Sequence, residues 1–600
     1  NHVRNLKCQP CMEAAQLGDY TKAIDYQEKA LEIKKEIGDR AGESNCYVNL
    51  GLAYYNLGDY TKDINYQEKA LEIKKEIADA SSEAIAHLNL GTIYNEQKPE
   101  IAYNHFKRSI ELTELIGGKI IEEEHKMDFY ASHASSFDAY QLMIPVCLRL
   151  GKDKEAFEFA ERSKSKTFLY LLASSNIRPS VSMVTSELKS LLDDEEKYLM
   201  KLRQIQTRSM IGSRSTTGLT VNVRDAIAVS ADRYGVEASD YILSELNRIY
   251  DKIEPIDPEY VFLRRGRPLP LDKIQNILLQ KGNNNDNATI LIEYFIAKDK
   301  TYIFVISPQE FHIKTIELSS EKLTCYIQNY WREVVNYPVF KGIGSTWLGL
   351  SQYLIEPISE YLSHAHLIYF VPHGLLHYIP IHALELDGDP LIKNHAVAYS
   401  PSASLLQFYK NKGSGFLKTC ASFGIVFKKE SEEVAKLFDT EQSCSSFFLD
   451  AAKNTVVENI DRDILHFSCH GYFNNTDPLS SGIKLQDGIL TAREIFDLRL
   501  NSELVTLSAC ETGLNESKPG DELIGLTRSI IYAGAASVIV SLWSVYDPST
   551  RELMIEFYKE LKDGKSKATA LQQAQIKIMQ KEEYSHRYFW APFVLVGDWE

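Results

Sequence analysis

Two segments of the sequence each place a chemically reactive side chain directly after a short apolar run. Residues 463–471 read DILHFSCHG, and residues 504–513 read LVTLSACETG. His470 and Cys510 follow these runs and lie 40 residues apart. A thiol nucleophile needs a group that assists proton transfer to the leaving amine, and imidazole is the commonest such group. The two segments therefore predict thiol catalysis by His470 and Cys510.

The elements that must position these residues are strands of a mostly parallel β-sheet. Short runs that are nearly all apolar and separated by helical sequence are typical of such strands. The runs occur at 289–295, 302–306, 367–371, 464–468, 504–508 and 537–542. Ligands bind at the carboxyl ends of parallel strands, so we expect His470 and Cys510 to share one edge. Gly471 and Gly513 would let the backbone present amide hydrogens to a developing oxyanion.

The N-terminal region repeats with a period of 40 residues. GDYTK at 18–22 returns at 58–62, and YQEKALEIKKEI at 26–37 returns at 66–77. The apolar spacing indicates one-sided helices, with Gly-Asp-Tyr as the turn between them. The pattern resembles tetratricopeptide repeats of about 40 residues, and degenerate copies extend it. The resemblance implies an all-α solenoid over 1–170, which we expect to be truncated at its N-terminus.

Three regions follow from these patterns. The solenoid covers 1–170, a helical connecting region covers 171–264, and an α/β domain covers 265–600. Apolar residues at helical spacing support the connecting region, whereas Ser, Thr, Gly and Arg at 206–219 predict an exposed loop. The predicted fold class is therefore α + α/β, an all-α solenoid followed by a domain with a mostly parallel central sheet.

The motifs around both reactive residues resemble one known family. HFSCHG and LSACETG match the pattern of CHAT peptidases, caspase-like proteins related to separase, legumain and the caspases and found with tetratricopeptide repeats. Further motifs of this pattern occur in order at 371–380, 487–492, 525–529, 533–535, 541–547 and 590–595. The resemblance implies a CHAT domain over 265–600, with its catalytic half at about 365–600. It implies that Cys510 is the nucleophile, His470 its proton-transfer partner, and the backbone amides of Gly471 and Cys510 the oxyanion site.

Two residues near His470 in the sequence, Cys469 and His466, are alternative candidates for a catalytic role. Cys469 is adjacent to His470, and successive side chains of a strand leave opposite faces, so Cys469 is expected to be structural. His466 lies on the same strand face as His470 but further from the edge, and we expect it to be packed or hydrogen-bonded. The catalytic assignment stays with His470 and Cys510.

Four residues are candidates for the substrate pocket. In caspase-like enzymes the residue two before the nucleophile can line the pocket for the side chain before the scissile bond; here it is Ser508, which is small and neutral. Asp547 would add a negative charge that favours Arg or Lys, or it is only a capping or turn residue before Pro548. Glu511 would either influence the site or remain solvated. His373 stands where the family often has an acidic residue, and this departure would alter substrate preference.

No metal site and no cofactor are expected. Imidazole is a common zinc ligand, but no cysteine or carboxylate completes a ligand set in the segment of His373, His377 and His382. Cys8 and Cys11 form a lone Cys-x-x-Cys, and no second pair follows at zinc-site spacing, which favours a frayed end over a metal or redox role. The nine cysteines lack the dense spacing of a disulfide framework, which indicates a reducing, cytoplasmic setting.

The net charge and the hydropathy of the sequence indicate which classes of binding partner are not expected. The 66 basic and 82 acidic residues give a net charge of −16, which disfavours general binding of nucleic acid or anionic membranes. No apolar run reaches about 18 residues, so no membrane span is expected. The sequence does not begin with Met, and we expect it to be part of a longer protein.

The predicted function is that of a cysteine endopeptidase acting on a protein substrate. The solenoid would recruit the substrate or a regulator through its concave face. The resemblance implies roles in regulated cell death or immune defence. The polar stretch 515–522 is expected to be a mobile loop that keeps the site immature until a partner binds. The alternative is a catalytically silent caspase-like scaffold, which the presence of both His470 and Cys510 disfavours because a scaffold has no chemical need for the pair.

Overall fold

The chain divides into two compact units, Asn1–Arg267 and Pro268–Glu600. The computed structural model describes residues 19–77, 79–119, 134–174, 185–214, 233–265, 268–281, 288–340, 344–407, 409, 417–439, 444–449, 451–472, 474, 480–508 and 522–600. The division lies close to the predicted start of the α/β domain.

Helices make up the described part of the first unit. They are α1 (Tyr20–Glu36), α2 (Arg40–Asn56), α3 (Tyr60–Glu76), α4 (Ala80–Tyr94), α5 (Pro99–Lys119), α6 (Ala134–Arg149), α7 (Asp153–Ser174), α8 (Ser186–Arg214), α9 (Arg233–Ile253) and α10 (Pro258–Arg265). Each helix from α1 to α6 packs against the next one along the chain. The N-terminal helical repeats are therefore confirmed.

Helix caps and a shared apolar core explain why the 40-residue repeat forms helix pairs. Each of the first four helices follows an aspartate whose side chain accepts a backbone N–H three residues on; these are Asp19, Asp39, Asp59 and Asp79. Such a cap contributes about 1 kcal/mol and sets where each helix begins. Buried side chains from α1, α2 and α3, including Leu31, Leu50 and Ile73, form one cluster between the helices. The repeat therefore encodes two capped helices that bury a common apolar seam.

The predicted loop at 206–219 is wrong over its first part. Helix α8 continues to Arg214, so residues 206–214 are helical, while residues 215–219 lie outside the described residues. Gln, Arg and Met at 206–214 favour helix, and one glycine inside a helix costs only about 1 kcal/mol. The polar composition was therefore a poor indicator of a loop.

The second unit contains both helices and strands. Its longer helices are α11 (Leu271–Lys281), α12 (Ser320–Tyr330), α13 (Lys428–Phe438), α14 (Lys453–Val457), α15 (Ala492–Asp497), α16 (Glu522–Ala533), α17 (Asp547–Lys562) and α18 (Lys567–Met579). Four-residue helical turns lie at Tyr337–Phe340, Ser351–Leu354, Ser359–Leu362 and Arg587–Trp590. A π-helical turn lies at Trp331–Val335.

Sixteen strands are found among the described residues of this unit. They are β1 (Ala288–Ile296), β2 (Thr301–Ile306), β3 (Phe311–Ile316), β4 (Ala365–Val371), β5 (Glu385–Leu386), β6 (Asp389–Pro390), β7 (Ala396–Tyr399), β8 (Thr419–Gly424), β9 (Cys444–Leu449), β10 (Ile464–Ser468), β11 (Gly471–Tyr472), β12 (Gly482–Leu485), β13 (Gly488–Thr491), β14 (Leu504–Ser508), β15 (Ser537–Ser541) and β16 (Phe593–Gly597). All six apolar runs that predicted strands form strands.

Eleven strands form one sheet, in the order β3-β2-β1-β4-β7-β16-β15-β14-β10-β8-β9. Most neighbouring pairs are parallel, as predicted. Strands β15 and β16 are antiparallel, so the strand direction reverses between them. We call β8, β9, β10, β14 and β15 the His470 half-sheet, and β1, β4, β7 and β16 the His373 half-sheet. The carboxyl ends of the two half-sheets therefore lie at opposite edges.

Two helices cover one face of the His470 half-sheet. Glu430 of α13 contacts His466 and Ser468 of β10, and Tyr558 of α17 contacts His466 and Thr506 of β14. Helices α13 and α17 also pack against each other. Because alternate residues of a strand point to opposite faces, this contact identifies which side chains of β10 and β14 lie beneath the two helices.

Candidate active site

The strand that leads to His470 pairs directly with the strand that leads to the segment containing Cys510. Strands β10 and β14 are parallel, with Ser468 opposite Ser508. Beyond this pair, the amide of Cys469 donates to the carbonyl of Ser508 at 3.2 Å. His470 follows and is partly buried. The pairing holds the two strand ends side by side at one edge of the sheet.

Cys510 and Glu511 lie outside the described residues, as do all residues from 509 to 521. The predicted mobile loop at 515–522 therefore also falls almost wholly outside them. In the sequence, Cys510 is two residues after Ser508, and His470 is two residues after Ser468. His470 and Cys510 therefore occupy equivalent sequence positions, because each lies two residues after one member of the Ser468–Ser508 pair.

A small second sheet holds the chain beyond His470. Gly471 begins β11, opposite Ile483 in the three-stranded sheet β11-β12-β13. The carbonyl of His470 accepts the amide N–H of Lys484 at 2.9 Å. The backbone at His470 is therefore fixed from both sides, by β14 before it and by β12 after it.

A buried hydrogen-bond chain supports β10 and β14 from beneath. Glu430 Oε1 is 3.0 Å from His466 Nε2 and 3.3 Å from Ser468 Oγ. His466 Nδ1 is 3.1 Å from the Tyr558 hydroxyl, which is 2.8 Å from Thr506 Oγ1. All five side chains are fully buried. His466 is thus packed and hydrogen-bonded, as predicted, and the chain links the two strands that end at the candidate site.

The other candidates near this edge differ in exposure. Ser508 is fully buried, on the same strand face as Thr506. Asp547 is exposed at the first position of α17, following Tyr546 at the N-cap. Partial burial and then the nearby charge of Glu430 raise the pKa of Asp547 above its ordinary value. Asp547 therefore lies close enough to Glu430 for their charges to interact.

Comparison with known families adds to this geometry. A family model described as "CHAT domain" matches residues 425–598, and one described as "Tetratricopeptide repeat" matches residues 14–76. The chain carries a CHAT domain and tetratricopeptide repeats. CHAT domains are related to caspase-like peptidases, and tetratricopeptide repeats are protein-interaction modules. The CHAT match contains both His470 and Cys510.

Curated relatives match only a short part of the chain. Tetratricopeptide repeat protein 28 of Mus musculus is 32% identical over 124 residues, which is 21% of this chain and 5% of that protein. Its Homo sapiens counterpart is 35% identical over 113 residues, 19% of this chain and 4% of that protein. The chain thus spans a very small fraction of the length of these relatives.

One solved structure similar to the chain is that of the Saccharomyces cerevisiae separase–securin complex. The match covers 96% of this chain and 53% of that chain, with 12% sequence identity and a TM-score of 0.36. A similarity this low indicates neither a shared fold nor a shared function.

Cys469, next to His470 in the CHAT domain, has the structural role predicted for it. Only 3% of Cys469 is exposed, and its Sγ lies 3.7 Å from the carbonyl oxygen of Phe423 in β8. Its side chain therefore points into the sheet core between β10 and β8. This position supports the exclusion of Cys469 as the nucleophile.

The predicted pocket role of His373 does not agree with the topology of the CHAT-containing unit. His373 follows the carboxyl end of β4, which runs antiparallel to β10 within the sheet. It therefore lies at the opposite edge from His470. Its ring stacks on Phe295 at 4.6 Å, and its Nδ1 accepts the amide N–H of Ile296 at 3.2 Å. The motif resemblance located the segment but carried no information about strand direction.

His382 is one of the three histidines that raised the question of zinc. His382 is buried, with Nδ1 2.9 Å from the Tyr399 hydroxyl and Nε2 3.3 Å from the Gln575 amide. Burial lowers the pKa of His382 to about 3. Within the described part of the chain, no group of three or more His, Cys, Asp or Glu could hold a metal ion. Cys8 and Cys11 lie outside that part.

Sequence reasoning missed Glu430 and Tyr558. Glu430 lies in the first turn of α13, where a glutamate is ordinary, and Tyr558 lies within α17 among other apolar residues. Only the tertiary packing of both helices on β10 reveals their contact with His466. A single sequence offers no signal for it, because the partners lie 36 and 92 residues away from His466.

None of the described helices is long and apolar enough to cross a lipid bilayer.

Proposed function

We propose that this protein is a cysteine endopeptidase in which Cys510 is the nucleophile and His470 the proton-transfer group. The pairing of Ser468 with Ser508 carries the proposal, because His470 and Cys510 each follow their partnered serine by two residues. Equivalent positions beyond two paired parallel strands favour side chains that reach the same cleft. The CHAT match over this region supports the same chemistry.

The proposed reaction proceeds in two steps. The Cys510 thiol gives its proton to His470 and its sulfur attacks the carbonyl carbon of the peptide bond. The amides of Gly471 and Cys510 donate hydrogen bonds to the resulting oxyanion, which typically lowers the barrier by about 3 to 4 kcal/mol. His470 then gives the proton to the departing amine, which leaves a thioester. Water, deprotonated by His470, hydrolyses the thioester and restores the thiol.

The helical repeats supply the second part of the proposed function. Stacked helix pairs present an extended surface that suits a protein segment. We propose that this surface recruits the substrate or a regulatory protein in a cytoplasmic setting. A role in regulated cell death or immune defence is consistent with the family that the motifs resemble.

Identification of newly formed peptide ends tests the proposal. Cell lysate is incubated with the unmodified protein, with Cys510→Ala, with His470→Ala and with Cys325→Ala, and new N-termini are identified by mass spectrometry. Cys325 is exposed and remote in sequence from the site, which makes it the matched control. We expect new ends with the unmodified protein and Cys325→Ala only. Ends that persist with Cys510→Ala, or that never form, would instead support the silent-scaffold alternative.

A further inference from the structure

The helix pair α2–α3 of the repeat region contains a buried aspartate at a position where neighbouring helices have alanine. Asp63 is the fourth residue of α3, and only 1% of it is exposed. The fourth residues of α1 and α5 are Ala23 and Ala102, which are also buried. An ionised carboxylate is costly to bury unless it is paired. The departure at Asp63 therefore requires a physical explanation.

Gly51 of α2 brings the two helices close together at Asp63. A Cβ at Gly51 would lie 2.7 Å from Asp63 Oδ1 and 2.8 Å from Gln67 Nε2. The pair α4–α5 has the same close approach, because a Cβ at Gly91 would lie 2.6 Å from the ring of Phe106. Gln67 and Phe106 are each the eighth residue of their helix. Equivalent contacts are thus polar in α2–α3 and apolar in α4–α5.

The polar pair of Asp63 and Gln67 lacks one hydrogen-bond donor. Gln67 Nε2 donates to Asp63 Oδ1 at 3.3 Å, whereas the buried Gln67 Oε1 has no hydrogen-bond partner among the described residues. An ionised carboxylate can only accept, so it cannot satisfy Gln67 Oε1. A protonated carboxyl group has an O–H donor and can complete a two-bond pair with an amide. The missing donor therefore points to a proton on Asp63.

The burial of Asp63, rather than a charged neighbour, sets the pH at which its carboxyl group changes charge. Burial raises the pKa of Asp63 to about 6, and the hydrogen bond from Gln67 opposes this rise. On α3 itself, Lys62 is engaged by Asp59 at 3.4 Å. The other titratable side chains of α2 and α4 include tyrosines and one cysteine, classes that are neutral near pH 6. No further shift of this pKa comes from the charged or titratable groups of the two packed helices, Arg40 and Glu43 of α2 and Glu83 and His87 of α4.

The stability of the helix pair is therefore coupled to the proton on Asp63. The pKa of Asp63 is higher in the folded pair than its ordinary value of 3.8, so the protonated form stabilises the pair. This contribution is complete below pH 3.8 and is lost as the pH rises through 6. Opening of the pair should be about 10-fold more favourable at pH 7.5 than at pH 5.0. His87 acts in the opposite direction, because burial lowers its pKa to about 4 and acid weakens its packing.

We propose that Asp63 and Gln67 form a pH-sensitive latch between α2 and α3, which closes when Asp63 takes up a proton and loosens when it releases the proton. The inference goes beyond the proposed peptidase function, because it concerns the repeat region alone. In the closed latch the acid and the amide exchange two hydrogen bonds. In the loosened latch a charge and an unsatisfied carbonyl oxygen lie in the contact between the helices. The repeat region is therefore stiffer in mildly acidic solution than at neutral pH.

Hydrogen–deuterium exchange of the full chain at pH 7.5 and 5.0 tests the latch. Amide protection of α2 and α3, corrected for the intrinsic effect of pH on exchange, should rise about 10-fold at the lower pH. Asp63→Ala, which restores the residue found in α1 and α5, should abolish this rise. Asp25→Asn, which removes an exposed carboxylate of α1, is the matched control and should preserve it.

Asp63→Asn distinguishes the latch from a general effect of acid on the repeat region. Its amide can donate to Gln67 Oε1 at every pH, so α2 and α3 should be equally protected at pH 7.5 and 5.0. A rise in protection that persists in Asp63→Asn would assign the pH effect to another group and overturn the proposal. Equal protection of the unmodified protein at both pH values would overturn it as well.

Discussion

The two half-sheets of the second unit each place a histidine two residues beyond a buried parallel strand. His470 follows Ser468 at the end of β10, and His373 follows Val371 at the end of β4. Beneath β10 lies a polar hydrogen-bond chain that includes Glu430. The ring of His373, by contrast, stacks on an aromatic side chain and accepts a backbone N–H. A histidine after a strand is therefore not a sufficient signature of catalysis, because the surrounding residues decide its role.

The largest expected difference between the half-sheets concerns activity. His470→Ala should lower kcat for a cleaved peptide substrate by roughly 10²- to 10⁴-fold, because it removes the proton-transfer group. His373→Ala should leave kcat within about threefold, because His373 lies at the opposite edge of the sheet. Steady-state kinetics with both variants, after thermal unfolding has shown that they are folded, checks this difference. A larger loss from His373→Ala would reverse the assignment of the two edges.

The second prediction concerns the stability of the protein in acid, which depends on the buried His382 beyond strand β4. His382 follows β4, and its pKa of about 3 lies below the ordinary value of 6.5, so folding favours neutral imidazole. Its stability contribution is complete above pH 6.5 and is lost as pH falls toward 3. At pH 4.5 the loss is on the order of 2 to 3 kcal/mol.

Urea unfolding at pH 7.5 and 4.5 measures this loss. His382→Gln should show a smaller decrease in unfolding free energy between the two pH values than the unmodified protein does. His312→Gln, which changes an exposed histidine, is the control. An unchanged pH dependence in His382→Gln would show that His382 is not the titrating group.

A third comparison uses two buried tyrosines, Tyr558 of helix α17, which packs on the His470 half-sheet, and Tyr369 of strand β4 in the His373 half-sheet. The Tyr558 hydroxyl contacts His466 and Thr506, one residue on each strand that leads to the candidate site. The Tyr369 hydroxyl donates only to the Gly597 carbonyl among the contacts described, at 2.8 Å. Both Tyr→Phe changes should reduce the unfolding free energy by about 1 to 2 kcal/mol. Only Tyr558→Phe should also lower kcat, and equal kcat values for the two variants would count against a positioning role.

The smallest expected effect concerns two buried serines at strand ends. Ser400, beyond β7, donates to the Ser402 carbonyl at 2.7 Å, so Ser400→Ala should cost about 1 kcal/mol. Ser508 Oγ has no partner among the described residues, so Ser508→Ala should be neutral or stabilising by less than about 1 kcal/mol. Chemical denaturation of both variants without ligand measures the difference. A clear loss of stability in Ser508→Ala would show that its hydroxyl is satisfied in the free protein.

Much of the architecture could be predicted from local patterns. The 40-residue period implied capped helix pairs, and the short apolar runs implied strands, because both signals arise from residues close together in the chain. The reversal of direction between β15 and β16 could not be predicted in this way. It depends on β16, the last strand in the sequence, inserting between β7 and β15. His373 was misplaced for this reason.

The candidate site could likewise be predicted only where its residues lie close together in the sequence. His470, Cys469 and His466 share one strand, and simple alternation correctly predicted a structural Cys469 and a hydrogen-bonded His466. Glu430 was missed because its contact with His466 joins two separate elements. A helix of ordinary polar composition gives no indication that one of its carboxylates is fully buried. The roles of His470 and Cys510 remain predictions that experiment must test.

The most direct test of the central claim is the rate at which iodoacetamide modifies each cysteine at pH 6.5. The exposed Cys325 is an internal reference, and burial raises the pKa of Cys147 and Cys420 to about 12, which makes both slow controls. Peptide mapping by mass spectrometry gives the separate rates in the unmodified protein and in His470→Ala. If His470 activates Cys510, Cys510 reacts at least about 10-fold faster than Cys325, and His470→Ala removes that excess. A Cys510 rate no higher than that of Cys325, or one unchanged by His470→Ala, would contradict the proposed catalytic pair.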